Sequence, residues 1–230
     1  MSECLDALIV AHGQPSAPAE AEAMLAALAA RVQALLPSFR VGAATLAAAG
    51  ALEAALAQLS SHGVIYPFFM ADGWFVRQAL PKRLGGHGAR TLEPLGRDPG
   101  LPGLAARHLA AECAARGWAP AGTHLLIAAH GSARGPRAAQ SARDFGAALS
   151  PRWPGTAPVH GFVEEPPFIA EVAQALPAQS LCLPFFAAAG GHYREDVPQA
   201  LDQAGFSGAL LPPLGQHPQV PALIAAALAE

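Results

Sequence analysis

Cysteine is scarce and scattered in this chain. Cys4, Cys113 and Cys182 are odd in number, far apart and form no C-x-x-C pair, so neither a disulfide framework nor a thiolate metal site is expected, and small apolar filling is their expected role. Charge is also thin. Only 13% of the 230 residues are charged, and 14 basic against 17 acidic residues give a formal charge of −3, which leaves no basic stripe for a phosphate backbone and excludes nucleic acid as the expected partner. No strand-to-helix phosphate loop of the G-x-G-x-x-G or G-x-x-x-x-G-K-[ST] type occurs, and Gly85-Gly86-His87-Gly88 is too short and wrongly flanked to replace one, so no nucleotide is expected. Long hydrophobic runs are missing too: the nearest approach, Val41 to Leu59, is Ala-rich and contains Glu53, so no membrane span is predicted. The stretch Met1-Ser2-Glu3-Cys4-Leu5-Asp6 has acids where a secretory signal needs Lys or Arg, and a cytoplasmic protein is the expectation.

What is present is a repeat. Ala7-Leu8-Ile9-Val10-Ala11-His12-Gly13 returns as Leu125-Leu126-Ile127-Ala128-Ala129-His130-Gly131, Tyr66-Pro67-Phe68-Phe69 as Leu183-Pro184-Phe185-Phe186, and Leu95-Gly96-Arg97-Asp98-Pro99 as Leu214-Gly215-Gln216-His217-Pro218. The offsets are 118, 117 and 119 residues, so one architecture has been duplicated. Two domains follow, 1–118 and 119–230, joined near Ala119 to Thr123, where Pro120 and Gly122 suit a linker.

Leu5 to Ala11 is a short, nearly continuous apolar run, the mark of a strand buried on both faces of a parallel sheet. Val64 to Phe69, Leu125 to Ala129, Ser180 to Phe186 and Gly208 to Leu211 read alike, with weaker strands at Arg40 to Thr45 and Pro158 to Val163. Helices are expected at Pro18 to Leu36, Ala51 to Ser61, Pro99 to Arg116, Ala138 to Leu149, Pro167 to Leu176, Tyr193 to Ala204 and Pro218 to Ala229. Alternation of strand and helix predicts two α/β domains, each with a parallel sheet covered on both faces. Ligands of such sheets bind beyond the carboxyl ends of the strands, and two lobes facing one another would enclose a cleft.

The chemistry-bearing residues collect at those ends. His130 directly follows a strand, as does His12 in the first half, and Gly190-Gly191-His192 follows another strand of the second half, so His130 and His192 should meet at one rim. His192 opens a helix, whose positive end disfavours imidazolium and keeps the ring available as a ligand. Glu195 and Asp196, in the same first turn, read as acids that complement the helix dipole. Glu164 and Glu165 also exit a strand and point at the same rim. Two imidazoles and a carboxylate without Cys suit a divalent transition metal at an open site, with Co2+, Fe2+, Ni2+ and Zn2+ all admitted. Arg134, Arg137 and Arg194 flank the two histidines and suggest carboxylates on the ligand. The first half has Phe75 in the place of His192 and Leu46-Ala47-Ala48-Ala49 where the acids stand, so its site is expected to be degenerate. The remaining histidines read as structural, with His160 alone near the rim.

The strand ending in Ala-His-Gly-Ser, the Glu-containing strand exit and Leu-Pro-Phe-Phe-x-x-x-Gly-Gly-His-Tyr-x-x-Asp-Val-Pro resemble the sirohydrochlorin cobaltochelatase and ferrochelatase family, the class II tetrapyrrole chelatases. The resemblance spans both halves. It implies two tandem flavodoxin-like, three-layer lobes with a tetrapyrrole between them, and a lyase-type chelatase inserting a divalent metal, cobalt first and iron or nickel next, in cobalamin or siroheme biosynthesis. It further implies metal-binding and catalytic roles for His130 and His192, an active-site acid at Glu164, or at Glu165 if the register shifts by one, and substrate contacts from Arg134, Arg137, Arg194 and Tyr193, with His12 and Glu165 secondary. The second-lobe site is similar in placement to that of protoporphyrin ferrochelatases. The metal is expected as substrate, the tetrapyrrole as partner, and the protein as monomer or homodimer. Two rivals are a non-catalytic metal or tetrapyrrole carrier using the same cleft, and a histidine phosphatase, which Ala11 and Ala129 disfavour because that chemistry needs an Arg before the His.

Overall fold

The structure, a computed structural model, describes residues 4–132 and 135–230. The first repeat runs β1 (Leu5–Ala11), α1 (Pro18–Leu35), β2 (Val41–Thr45), α2 (Ala51–Leu56), β3 (Leu59–Pro67), a π-helical turn at Phe75–Ala79, α3 (Leu80–Leu84), β4 (Arg90–Thr91) and α4 (Leu101–Ala115). The second repeats it with β5 (His124–Ala129), α5 (Arg137–Leu149), β6 (Val159–Phe162), α6 (Ile169–Ala173), β7 (Ser180–Pro184), a π-helical turn at His192–Asp196, α7 (Val197–Gln203), β8 (Ala209–Leu210) and α8 (Val220–Ala229). Each set of strands forms one all-parallel sheet, ordered β2-β1-β3-β4 and β6-β5-β7-β8. The expected duplicated parallel α/β fold is therefore the observed one.

The central strands explain the apolar runs. Ala7 to Ala11 and Leu125 to Ala129 are all buried, with alternate residues turned to opposite faces. Leu8 and Val10 join Leu52, Ala55 and Leu56 of α2 and Leu80 of α3 in one core, and Leu126, Ala128 and Cys182 join Ile169, Ala173, Val197 and Leu201 in its counterpart. Burial pushes the Cys182 thiol well above its usual range, so it serves as apolar filling, as does buried Cys113; Cys4 is exposed instead, because it precedes the sheet.

Three local differences from the sequence reading have physical causes. The helix expected through Ser61 stops at Leu56, and β3 begins at Leu59, since Leu59 is captured as a parallel partner of Leu5. The helical segment at Phe75–Leu84 and the short strand β4 had no sequence expectation; two residues carry too little pattern to read. Both π-helical turns precede a proline, Pro81 and Pro198, which lacks the N–H that would close an ordinary α-turn. The amide before each proline donates five residues back instead, Leu80 to Phe75 and Val197 to His192.

Packing divides the chain differently from the repeat. One compact unit runs to Asp98 and takes in Pro218–Glu230, and the other is Pro99–His217. The halves 1–118 and 119–230 are thus units of sequence, while each half's last helix belongs to the other packing unit: α8 packs on α1, and α4 packs on α5.

Within the second unit, His108 of α4 and His217 stand ring edge to ring face, with centroids 4.8 Å apart. Burial lowers both pKa values. The mutual repulsion of the pair and Arg107 add to the shift at His217, while at His108 nearby Glu112 opposes it and Arg116 reinforces it. The folded state therefore binds fewer protons than the unfolded chain, whose histidines titrate near about 6.5. Stability is expected to hold above that pH and to decline as pH falls from there through the lowered folded values. Urea midpoints between neutral and mildly acidic pH check this, and His217→Gln should flatten the slope.

Candidate metal centre

In the sheet order β6-β5-β7-β8 the chain adds β6 on one side of β5 and then crosses to add β7 on the other, and ligands of open parallel sheets gather at such a switch point, beyond the strands' carboxyl ends. His130 is the first residue after β5. Its neighbour is set by backbone pairing that outlasts the strands: the Val163 amide donates to Ala129 (3.1 Å) and the Glu164 amide to His130 (3.0 Å). Glu164 is thereby fixed beside His130, with a carboxylate oxygen 3.7 Å from Nδ1. The π-helical turn after β7 brings in His192, whose ring meets that of His130 with centroids 4.2 Å apart and planes at 80°. One ligand atom from each of His130, Glu164 and His192 can be chosen so that all lie within 4.8 Å of one another. The expected meeting of the two histidines is thus observed.

Each ring has its tautomer set by a partner at Nδ1. His130 Nδ1 lies 2.9 Å from the Gly131 carbonyl oxygen and His192 Nδ1 2.6 Å from a carboxylate oxygen of Asp196. Both partners accept, so Nδ1 donates in both rings, and the neutral tautomer that fits these bonds presents its lone pair at Nε2. Asp196 therefore does more than complement the helix dipole, the role its sequence position suggested. It orients the His192 ring, as the outer carboxylate of a metal-bound histidine does. The four-residue spacing from His192 is the sequence signal by which this role could have been found.

The two adjacent acids separate. Glu165 turns back to accept the Ser132 backbone N–H at 2.7 Å. It also packs under Gly131, where φ is +69° and a Cβ would come within 2.9 Å of the Glu165 side chain. Only glycine fits that turn comfortably. Glu165 thus pins the loop after His130, and Glu164 alone faces the imidazoles.

Of the expected substrate contacts, Tyr193 and Arg194 lie in the same π-helical turn as His192, with Arg194 exposed and Tyr193 half-buried, and Arg137 is exposed at the start of α5. Arg134 lies outside the described residues. His160 is structural: its Nε2 donates to the Ala142 carbonyl at 3.1 Å, and burial lowers its pKa.

The first lobe keeps the scaffold and has lost the donors. His12 Nδ1 lies 2.7 Å from the Gly13 carbonyl oxygen, and the Ala47 amide donates to His12 at 2.9 Å, as Glu164 does to His130. Phe75 meets His12 with centroids 4.2 Å apart and planes at 80°, the same figures as His130 and His192. Phenyl has replaced imidazole, and methyl has replaced carboxylate, in an otherwise conserved frame.

Among the described residues, no helix is long and apolar enough to cross a membrane. The CbiX family model matches the chain twice, over residues 6–112 and 124–230. A solved structure of CbiX, the terminal enzyme for siroheme biosynthesis in denitrifying bacteria, is 48% identical at a TM-score of 0.89, over 97% of this chain and 98% of that one. SirB from Bacillus subtilis, solved with Fe3+, shares 16% identity at a TM-score of 0.75, over 97% of this chain and 94% of that one. The sirohydrochlorin chelatase SirB from B. subtilis subspecies spizizenii, solved with cobalt, shares 17% at 0.69, over 97% and 93%. These last two show the fold. Nothing matches among the curated proteins. With both repeats matched and nearly half its residues shared with a solved member, the chain belongs to the CbiX family.

Proposed function

We propose that this protein inserts a divalent metal into a sirohydrochlorin-type tetrapyrrole, using the His130, Glu164 and His192 cluster of its second lobe. The convergence of those three donors within 4.8 Å carries the reading. The 48% identical CbiX acts in siroheme biosynthesis, and siroheme is an iron macrocycle, so Fe2+ is the metal this comparison favours. Co2+, the first expectation from sequence, and Ni2+ are the next to assay, because imidazole and carboxylate donors accept all three.

Insertion exchanges two pyrrole N–H protons for one M2+, so charge is conserved if both protons leave. The two imidazoles take the ion as it sheds water, through the Nε2 atoms that the Nδ1 bonds to Gly131 and Asp196 leave available. Glu164 lowers the net charge of the loaded site and accepts one proton, relaying it to solvent, while the second follows the same exit. Arg137, Arg194 and Arg134 would meet peripheral carboxylates of the macrocycle, as bidentate guanidinium groups do, and Tyr193 would pack against its edge.

The test is an absorbance assay with sirohydrochlorin and Fe2+, Co2+ or Ni2+: turnover shifts the macrocycle spectrum catalytically. A stoichiometric shift that stops at one equivalent of protein would instead mark a carrier and reject the proposal.

Phe75→His in a His192→Ala background should restore a two-imidazole Co2+ site, read by its visible absorption, without restoring insertion, because Ala47 stands where Glu164 does. Insertion clearly above the His192→Ala level would refute the requirement for the acid.

A further inference from the structure

Where the second lobe has Gly191 and His192, the first has Trp74 and Phe75. At Gly191 an added Cβ would meet nothing within 4 Å, so the second lobe leaves open space beside its imidazoles. The first lobe fills the matching position with an indole. Trp74 is 59% exposed, the highest value among the exposed large hydrophobic residues, while most of the large apolar side chains are buried. It stands edge-to-face with Phe75, centroids 5.1 Å apart, and Phe75 lies near-parallel to Phe69 at 6.2 Å. The segment is held at both ends, since Arg77 Nε donates to both carboxylate oxygens of buried Asp72 at 2.7 and 2.8 Å.

A lone exposed aromatic is ordinary on a protein surface; Trp74 is set apart by its place in the segment that matches the His192 turn and by the phenyl ring packed on it, and covering it would be favourable. An indole buttressed edge-to-face by a phenyl ring, at the ligand end of a parallel sheet, suits a flat conjugated partner, which the indole can meet by offset stacking. We infer that Trp74, backed by Phe75, is a stacking platform for the tetrapyrrole, so that the first lobe has exchanged metal binding for macrocycle binding. This rests on the chelatase reading and names the residue that sets affinity for the ring rather than for the ion.

The experiment titrates metal-free sirohydrochlorin into wild type, Trp74→Ala and Trp74→Phe, following the macrocycle's own absorbance, with Co2+ binding measured separately. Trp74→Ala should weaken macrocycle binding roughly tenfold, the loss of one good aromatic stack. Trp74→Phe should recover most of it, and both variants should bind Co2+ as wild type does. Wild-type macrocycle affinity in Trp74→Ala overturns the inference while leaving the chelatase reading standing, and so does a variant whose only change is loss of self-association by sedimentation. Failure of wild type itself to bind sirohydrochlorin overturns both.

Discussion

His192→Ala is expected to reduce metal insertion by at least about a hundredfold, because losing an orienting carboxylate alone typically costs ten- to a hundredfold and losing the ligand costs more. The fold should survive. The His192 side chain is 39% exposed, and the neighbouring Gly191 borders open space, so truncation leaves no buried cavity and the urea midpoint should hardly move. Asp196→Ala provides the graded control. It leaves the ring in place but removes the 2.6 Å partner of Nδ1, so Co2+ affinity should drop by about ten- to a hundredfold, with insertion falling in parallel. Wild-type insertion by His192→Ala would remove the second-lobe centre from the mechanism.

The second large effect separates two neighbours. Glu164→Gln keeps size and hydrogen bonding but cannot hold a negative charge or accept a proton, so turnover should fall by about a hundredfold or more, the usual contribution of a positioned general base, with stability unchanged. Glu165→Ala should do the reverse. It removes the acceptor of the Ser132 N–H and the packing under Gly131, costing about 1 to 3 kcal/mol of stability, while turnover falls far less. Parallel urea titrations and insertion assays on both variants decide the matter, and the opposite pattern would transfer the acid role to Glu165.

The parallel sheets were legible because β1 and β5 bury both faces and so must be apolar throughout, and the repeat fixed their correspondence. His130 and His192 were legible from the same comparison, each directly after or near a strand end. Glu164 and Glu165 could not be told apart, since their difference lies in which way a side chain turns at a strand exit, and that is decided by the Ser132 amide and by Gly131. Asp196 was passed over because an acid in a helix's first turn has an ordinary electrostatic explanation, and only the approach of His192 Nδ1 reveals the other role. The packing of α4 and α8 was illegible for a different reason. Both helices are similarly apolar, Leu104 and Leu109 in one and Ile224 and Leu228 in the other, and a hydrophobic stripe does not say which sheet it will cover.

That exchange of terminal helices makes the two copies obligate companions. A gene encoding one copy would yield a product lacking its own cover, which could complete itself only by borrowing from a twin. Fusion in tandem turns that borrowing into an internal arrangement, present at a fixed one-to-one ratio in every molecule. It also frees the siblings to diverge, since neither can be lost without unroofing the other, and one could take Phe75 where its counterpart kept His192.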